Sequence, residues 1–165
     1  MLFRSTWSSL AKVHDDGFKI SRCPDVAMGL ASDSLGHLHA AWYTGTESNP
    51  GVFYARSDDG RTWTKPLALQ TGKWSPYADV RLVIDGKDQP WVAFEDRSGD
   101  TDKVQVARID PNSMSVSLSA PVAGRGPALV VSDGWALLSF SSLPASEDDE
   151  GPTALNSLLA RLPVA

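Results

Sequence analysis

The stretch that decides the fold is Tyr54-Ala-Arg-Ser-Asp-Asp-Gly-Arg-Thr-Trp63, because weakened copies of it follow along the chain. Its Ala-Arg pair recurs at residues 107–108, which lie 52 positions later, and again at residues 160–161, a further 53 positions on. Self-similarity at a long and nearly constant period is the signature of a repeat architecture. The chain therefore has to be interpreted as successive units rather than as one irregular domain.

Other parts of the sequence follow the same period in the same order. Asp25-Val26 and Asp79-Val80 also correspond, at an offset of 54, so the period varies by a few residues in loops. Several ordered matches are unlikely to arise by chance. The matched pairs are Leu30-Ala-Ser-Asp33 with Leu82-Val-Ile-Asp85, Ala41-Trp42 with Ala93-Phe94 and Ser139-Phe140, Asp58 with Asp110, and Gly60 with Asn112.

Each unit consists of short β-rich runs separated by turns that contain Gly, Asp or Pro, which predicts an all-β protein. The predicted strands are 26–31, 39–43, 52–57 and 62–69, then 80–84, 91–95, 104–109 and 116–122, then 128–131, 135–140 and 155–162. Four-stranded antiparallel units of this period are typical of β-propeller blades. We predict an outer strand at 7–13, blades at 24–70 and 77–122, and an incomplete blade at 127–165. Together they form a partial propeller or half of a six-bladed ring.

Composition excludes several classes of partner. The 165 residues carry a net charge of -5 with acidic and basic side chains interspersed, so no basic stripe is available for nucleic acid. Apolar runs are too short to span a membrane, and the first residues do not resemble a signal peptide. Cys23 is the single cysteine, and no Cys/His cluster has metal-ligand spacing. No metal and no cofactor is predicted.

The segment 56–63 resembles the Asp-box pattern Ser-x-Asp-x-Gly-x-Thr-Trp, although Arg56 stands at the initial serine position. Counted back from the tryptophan, the matching residues are Asp58, Gly60, Thr62 and Trp63. On these residues the chain resembles bacterial sialidase-like BNR-repeat propellers. The resemblance implies a glycoside hydrolase that acts on sialylated or related glycans, and it allows a periplasmic or extracellular location.

The box itself is predicted to be structural. A carboxylate in a tight turn accepts backbone N–H bonds, which we expect of Asp58 and of Asp110 in the degenerate second copy. Gly60 supplies a backbone conformation that other residues resist, and Trp63 is expected to pack over the turn. This turn joins the third and fourth strands, so the predicted topology places it on the face opposite the ligand-facing loops.

Candidate site residues lie in the loops at the opposite end. The resemblance implies a tyrosine nucleophile activated by a glutamate, an aspartate acid/base, and arginines that clamp a carboxylate. The candidate catalytic residues are Tyr43, Tyr77, Glu95 and Asp79, and the candidate substrate-binding residues are Arg22, Arg97, Arg125 and Trp74. None of them stands in a motif of the family.

Each candidate has a structural alternative. Arg97 has acidic neighbours in sequence, Asp96 and Asp100, with which it can form a salt bridge. Tyr43 adjoins Trp42 at a strand end, where packing is the alternative to catalysis. Asp79 recurs between units with Asp25, which favours hydrogen bonding at a turn or strand edge.

Three functions remain open at this point. The first is a sialidase-type hydrolase or a part of one. The second is a non-catalytic propeller whose loop face binds a glycan or a protein. The third is a scaffold unit that closes a ring, either as a homodimer or with the remainder of a longer chain.

Overall fold

The computed structural model describes residues 9–19, 28–72, 78–132 and 135–141, together with the backbone of 157–163. These residues form twelve β-strands joined by turns, and no helix occurs among them. The prediction of an all-β protein built from antiparallel sheets is confirmed. In the same part of the chain, no helical segment has the length and apolar character needed to cross a membrane.

Three antiparallel sheets follow one another along the sequence. Sheet 1 has the strand order β1-β2-β3-β4 and sheet 3 the order β10-β11-β12; sheet 2 has the order β5-β6-β7-β8, with β9 also paired to β7. Sheet 1 contains Gly29–Ser32, Leu38–Thr44, Gly51–Ser57 and Leu67–Thr71. Sheet 2 contains Val80–Ile84, Pro90–Asp96, Lys103–Asp110, Ser115–Leu118 and Val122–Ala123. Sheet 3 contains Arg125–Ser132, Trp135–Ser141 and Ser157–Pro163.

Three predicted strands differ from the structure. The strand expected at 62–69 begins only at Leu67, because Thr62 and Trp63 still belong to the box turn and residues 64–66 lie outside any strand. The strand expected at 116–122 is divided into β8 and β9, because Pro121 between them has no N–H to donate to the sheet. Residues 9–13 form no strand, and residues 7–8 of the predicted outer strand lie outside the described part.

Sheet 2 is covered on both faces. Val92 and Phe94 on β6 lie in a core shared with sheet 1, whereas Trp91 and Ala93 on the same strand lie in a core shared with sheet 3. Because successive side chains of a strand point to opposite faces, β6 needs apolar residues at every position rather than at alternate ones. Its sequence Pro-Trp-Val-Ala-Phe meets this need, and every residue of β6 except Asp96 is buried.

The β1–β2 and β5–β6 turns of the first two sheets are tied together. The Ser34 backbone N–H and hydroxyl donate to the two carboxylate oxygens of Asp88, at 2.8 and 2.6 Å. Asp88 has a φ of 60°, in the left-handed region that Gly36 occupies with a φ of 85° at the equivalent position of sheet 1. An aspartate tolerates this conformation better than most residues, and here its carboxylate joins two sheets. We call this side of the molecule the turn end.

The opposite side, the loop end, is aligned by a second set of contacts. The Gln70 carboxamide at the end of β4 donates to Asp96 at the end of β6, at 3.2 Å. The Gly126 N–H at the start of β10 donates to the Glu95 carboxylate at 2.6 Å. Polar groups from three sheets therefore meet at the loop end, where the sequence predicted the site.

The box turn is held by Asp59 rather than by Asp58. The Asp59 carboxylate accepts the N–H groups of Arg61 and Thr62 at 2.8 and 2.7 Å, and these bonds lower its pKa to about 2. Asp58 instead points to solvent and pairs with Arg56 at 3.1 Å. A carboxylate in this kind of turn reaches the N–H groups two and three positions ahead. Alignment of the Asp-box pattern on Trp63 had assigned the turn carboxylate to Asp58, which is one residue before the aspartate that holds the turn.

The rest of the box supports the same turn. Ser57 accepts the N–H of Gly60 at 2.8 Å, and Gly60 has a φ of 70° that disfavours other residues. Trp63 forms an antiparallel bridge with Ser57, which closes the turn before β4. In the second copy, Asp110 accepts the N–H groups of Asn112 and Ser113 at 2.9 and 3.3 Å.

We expect Asp59→Ala to lower the melting temperature by a few degrees, because it leaves the N–H groups of Arg61 and Thr62 without their acceptor. Asp58→Ala is the matched control and should leave the melting temperature almost unchanged, since the Asp58 side chain is 75% exposed. Thermal unfolding followed by circular dichroism at pH 7 measures both. Equal losses in the two variants would contradict the assignment of the turn to Asp59.

Candidate functional site

Glu95, a predicted catalytic residue, is a buried connector between sheets. Its side chain lies at the end of β6 and is 5% exposed. One carboxylate oxygen accepts the Gly126 N–H of sheet 3, and the other lies 3.4 Å from the N–H of Asp79, which precedes β5. The Glu95 N–H in turn donates to the Asp79 carbonyl at 3.1 Å. Both oxygens of this carboxylate are therefore directed at backbone groups of the chain.

The two described candidate arginines meet on one acid. Arg125 donates from Nε to the Asp102 carboxylate, and the Nε of Arg97 lies 3.3 Å from the same oxygen. The sequence suggested a salt bridge from Arg97 to Asp96 or Asp100, whereas the structure pairs Arg97 with Asp102. Asp96 instead accepts bonds from Ser98 and Gln70. The arginines do come together, but with an acid between them that neutralises part of their charge.

Tyr43 and Asp79 have structural surroundings as well. The Tyr43 ring meets the Phe18 ring edge-on at 6.1 Å between centroids, and it packs against the core between sheets 1 and 2. The Asp79 carboxylate lies 4.0 Å from Arg81. The candidates Tyr77, Arg22 and Trp74 lie outside the described residues, as does Cys23.

A cleft of about 350 Å³ opens on the outer face of sheet 1. Seven of its nine lining residues have polar side chains, although most of the lining surface is apolar; the residues are His14, Asp16, Thr44, Thr46, Ser48, Asn49, Phe53, Lys65 and Pro66. The β2–β3 loop and the segment around residues 14–16 form its walls, and the Phe53 ring, 7% exposed, lies at its base. The Thr44 hydroxyl is buried and has no hydrogen-bond partner among the described residues. This volume is within the range of small-molecule sites.

The turn end contains a buried chain of polar side chains that the sequence analysis did not find. The Tyr54 hydroxyl and the Nδ1 of His39 share a hydrogen bond at 2.6 Å, and both side chains are fully buried. The Nε2 of His39 lies 3.4 Å from the Asp33 carboxylate, which also bonds the His37 Nδ1 at 2.6 Å. The His37 Nε2 faces Asp58 at 3.8 Å, where this series of polar side chains reaches the surface.

Burial and hydrogen bonding determine how these groups titrate. Burial lowers the pKa of His39, although the nearby Asp33 carboxylate acts in the opposite direction. Burial alone would raise the pKa of Asp33, but hydrogen bonds from His37 and His39 together lower it to about 2. Burial also raises the pKa of Tyr54 well above its ordinary value. At neutral pH, His39 is therefore held neutral beside an ionised Asp33.

The repeat offers the one signal in the sequence that could have indicated this chain. At an offset of 52, Trp91 takes the place of His39, and its indole N–H donates to Asp85, the counterpart of Asp33, at 3.0 Å. Gln89 likewise takes the place of His37. Sheet 1 thus has two histidines, which titrate, at the positions where sheet 2 has Gln89 and Trp91, which do not.

No cluster of three or more His, Cys, Asp or Glu side chains in a metal-binding arrangement occurs in the described part of the chain. No protein-family model matches the sequence, and no curated protein is significantly similar to it. The likeness to BNR-repeat propellers therefore rests on the box residues and the 52-residue period.

Replacing Glu95 tests its connecting role. We expect Glu95→Ala to reduce the free energy of unfolding by about 1–3 kcal/mol, because the Gly126 N–H loses its hydrogen bond to a charged acceptor. Glu95→Gln keeps one acceptor oxygen and should lose less. Urea unfolding followed by tryptophan fluorescence measures both variants. A Glu95→Ala protein as stable as the wild type would contradict this role.

Acidification tests the buried histidine. Because burial lowers the pKa of His39 below its ordinary value of 6.5, the unfolded chain takes up a proton first as the pH falls. The contribution of neutral His39 to the free energy of unfolding is fully present above about pH 6.5. Below that pH the free energy of unfolding should decline, by at most about 1.4 kcal/mol for each pH unit. Urea unfolding at a series of pH values from neutral to mildly acidic measures this slope.

The matched variants separate this histidine from the others. His39→Gln should flatten the slope, whereas His14→Gln, at an exposed position, should keep it. A wild-type slope that persists in His39→Gln would assign the pH dependence to other groups.

Proposed function

We propose that this chain is part of a sialidase-like BNR-repeat propeller that binds a glycan without hydrolysing it. Each of the three sheets corresponds to one blade of that fold. Successive antiparallel sheets of four, five and three strands, the 52-residue period and the Asp-box turn between β3 and β4 support this interpretation.

The observation that carries the proposal is that the acidic and basic side chains of the loop end are already bonded to other groups of the protein. Hydrolysis of the sialidase type needs a glutamate free to activate a tyrosine and arginines free to bind a carboxylate. Glu95 instead accepts backbone N–H bonds from two sheets, while Arg97 and Arg125 share Asp102. Breaking these bonds to reach a substrate would take the Glu95 carboxylate from the Gly126 N–H and the two arginines from Asp102, which opposes catalysis of this type. Binding without catalysis fits this arrangement better.

Assembly into a larger ring is the second candidate function, and exposed apolar residues on the outer sheets favour it. Leu30 on sheet 1 is 62% exposed, whereas its counterpart Leu82 on sheet 2 packs in the core. On sheet 3, Val130 is 62% and Trp135 is 37% exposed. Faces of this kind are suited to stacking further sheets, from a second copy or from a longer chain.

A combined assay tests the proposed function. We expect the full chain to bind members of an immobilised glycan panel but to release no fluorophore from a fluorogenic sialoside. Light scattering on the same sample distinguishes the second candidate, because a two-chain particle would support ring assembly and a monomer would oppose it. Turnover of the sialoside that Glu95→Gln abolishes would overturn the non-catalytic interpretation.

A further inference from the structure

We propose that the cleft on the outer face of sheet 1 binds one neutral sugar residue. The inference rests on the proposed glycan-binding function and specifies its site. The cleft lies beside the β2–β3 loop on the outer face of sheet 1, and neither Glu95 nor Asp102 nor any other described candidate residue lines it. It therefore differs in place from the site that the sequence candidates indicated.

An unpartnered hydroxyl supports a ligand in the cleft. Thr44 is 3% exposed, and its Oγ1 is buried without a hydrogen-bond partner among the described residues. A buried polar group without a partner is unfavourable, so its retention calls for an explanation such as a ligand or an ordered water. Thr44 ends β2 and lines the cleft, so a hydroxyl group of a bound sugar can supply the missing bond.

The neighbouring groups match the surface of a sugar. Thr46, Ser48 and Asn49 on the β2–β3 loop add two hydroxyls and a carboxamide to the lining. Such groups both donate and accept hydrogen bonds, as sugar hydroxyls do. Together with Thr44 they place four neutral polar side chains around one small volume.

An aromatic stack forms the apolar side of the cleft. The Trp42 and Phe53 rings are stacked at 6.1 Å between centroids, and the His14 ring lies 6.1 Å from Trp42. Of these, His14 and Phe53 line the cleft. A site with an apolar ring on one side and polar groups on the other suits a ligand that has both kinds of surface, as a sugar ring has.

The charges in the cleft favour a neutral sugar over an acidic one. Asp16 and Lys65 contribute one negative and one positive charge to the lining, so their charges offset each other. A carboxylate on the ligand would meet Asp16 as well as Lys65, and like charges repel in a partly enclosed site. The two loop-end arginines that suit a carboxylate lie elsewhere and pair with Asp102.

Titration of the full, isotope-labelled chain with single sugars tests the inference by NMR. The probes are glucose, galactose and N-acetylglucosamine, with N-acetylneuraminic acid as the acidic comparison. We expect at least one neutral sugar to shift the amide signals of Thr44, Ser48 and Asn49, and the acidic sugar to bind more weakly. Shifts confined to the loop end around Asp102 would overturn the site while leaving glycan binding intact, whereas no binding by any glycan would overturn the proposed function itself.

A pair of threonine variants gives a second readout. Thr44→Val keeps the shape of the side chain and removes the unpartnered hydroxyl, so it should raise the melting temperature while weakening sugar binding about tenfold. Thr71→Val, at an exposed position at the end of β4, is the matched control and should change neither quantity. Unchanged affinity in Thr44→Val would overturn the proposed role of the hydroxyl, and a lower melting temperature would show that it has a structural partner.

Discussion

Burial of sheet 2 on both faces is the constraint on which the rest of the structure depends. Val92 and Phe94 contact sheet 1 and Trp91 and Ala93 contact sheet 3, so one strand connects two cores. The bond between Ser34 and Asp88 depends on the core between sheets 1 and 2, and the bond between Gly126 and Glu95 depends on the core between sheets 2 and 3. The polar contacts at each end of the sheets thus depend on apolar packing in the middle.

The loop end shows how this constraint affects function. Three sheets meet there, and each brings polar groups that need hydrogen-bond partners when the sheets pack together. Glu95 accepts the Gly126 N–H and Asp102 pairs with Arg125, so both acids become structural connectors. Other polar side chains, among them Thr46, Ser48 and Asn49, line the cleft on the outer face of sheet 1, which is not the face that packs against sheet 2.

The repeat preserves positions more strictly than chemistry. Arg56 pairs across the strands with His39, and its counterpart Arg108 pairs with Trp91 in the same register. Arg108 lies over the Trp91 ring and bonds Gln89, so this site in sheet 2 relies on a cation–π contact and an amide. In sheet 1 the positions of Gln89 and Trp91 hold His37 and His39, and His39 links Tyr54 to Asp33. One backbone geometry therefore accommodates both a titratable and a non-titratable network.

The sequence by itself determined the all-β class, the order of the strands and most of their boundaries, because alternation, turn residues and the period of 52 are local properties of the chain. It also indicated which loops would gather at one end. It could not determine which acid would bond which partner. Asp59 rather than Asp58 holds the box turn, because its carboxylate reaches the N–H groups two and three positions ahead. A sequence pattern aligned on the tryptophan contains no information about that distance.

Only the tertiary structure decided the contacts between sheets. Arg97 pairs with Asp102 rather than with Asp96 or Asp100, in a cluster completed by Arg125 of the next sheet. Glu95 became a connector because packing brings Gly126, from a distant part of the sequence, against it. His39 became a buried neutral histidine because sheet 2 covers the face that carries it. These properties depend on which surfaces meet, and a single sequence specifies that only through the folded core.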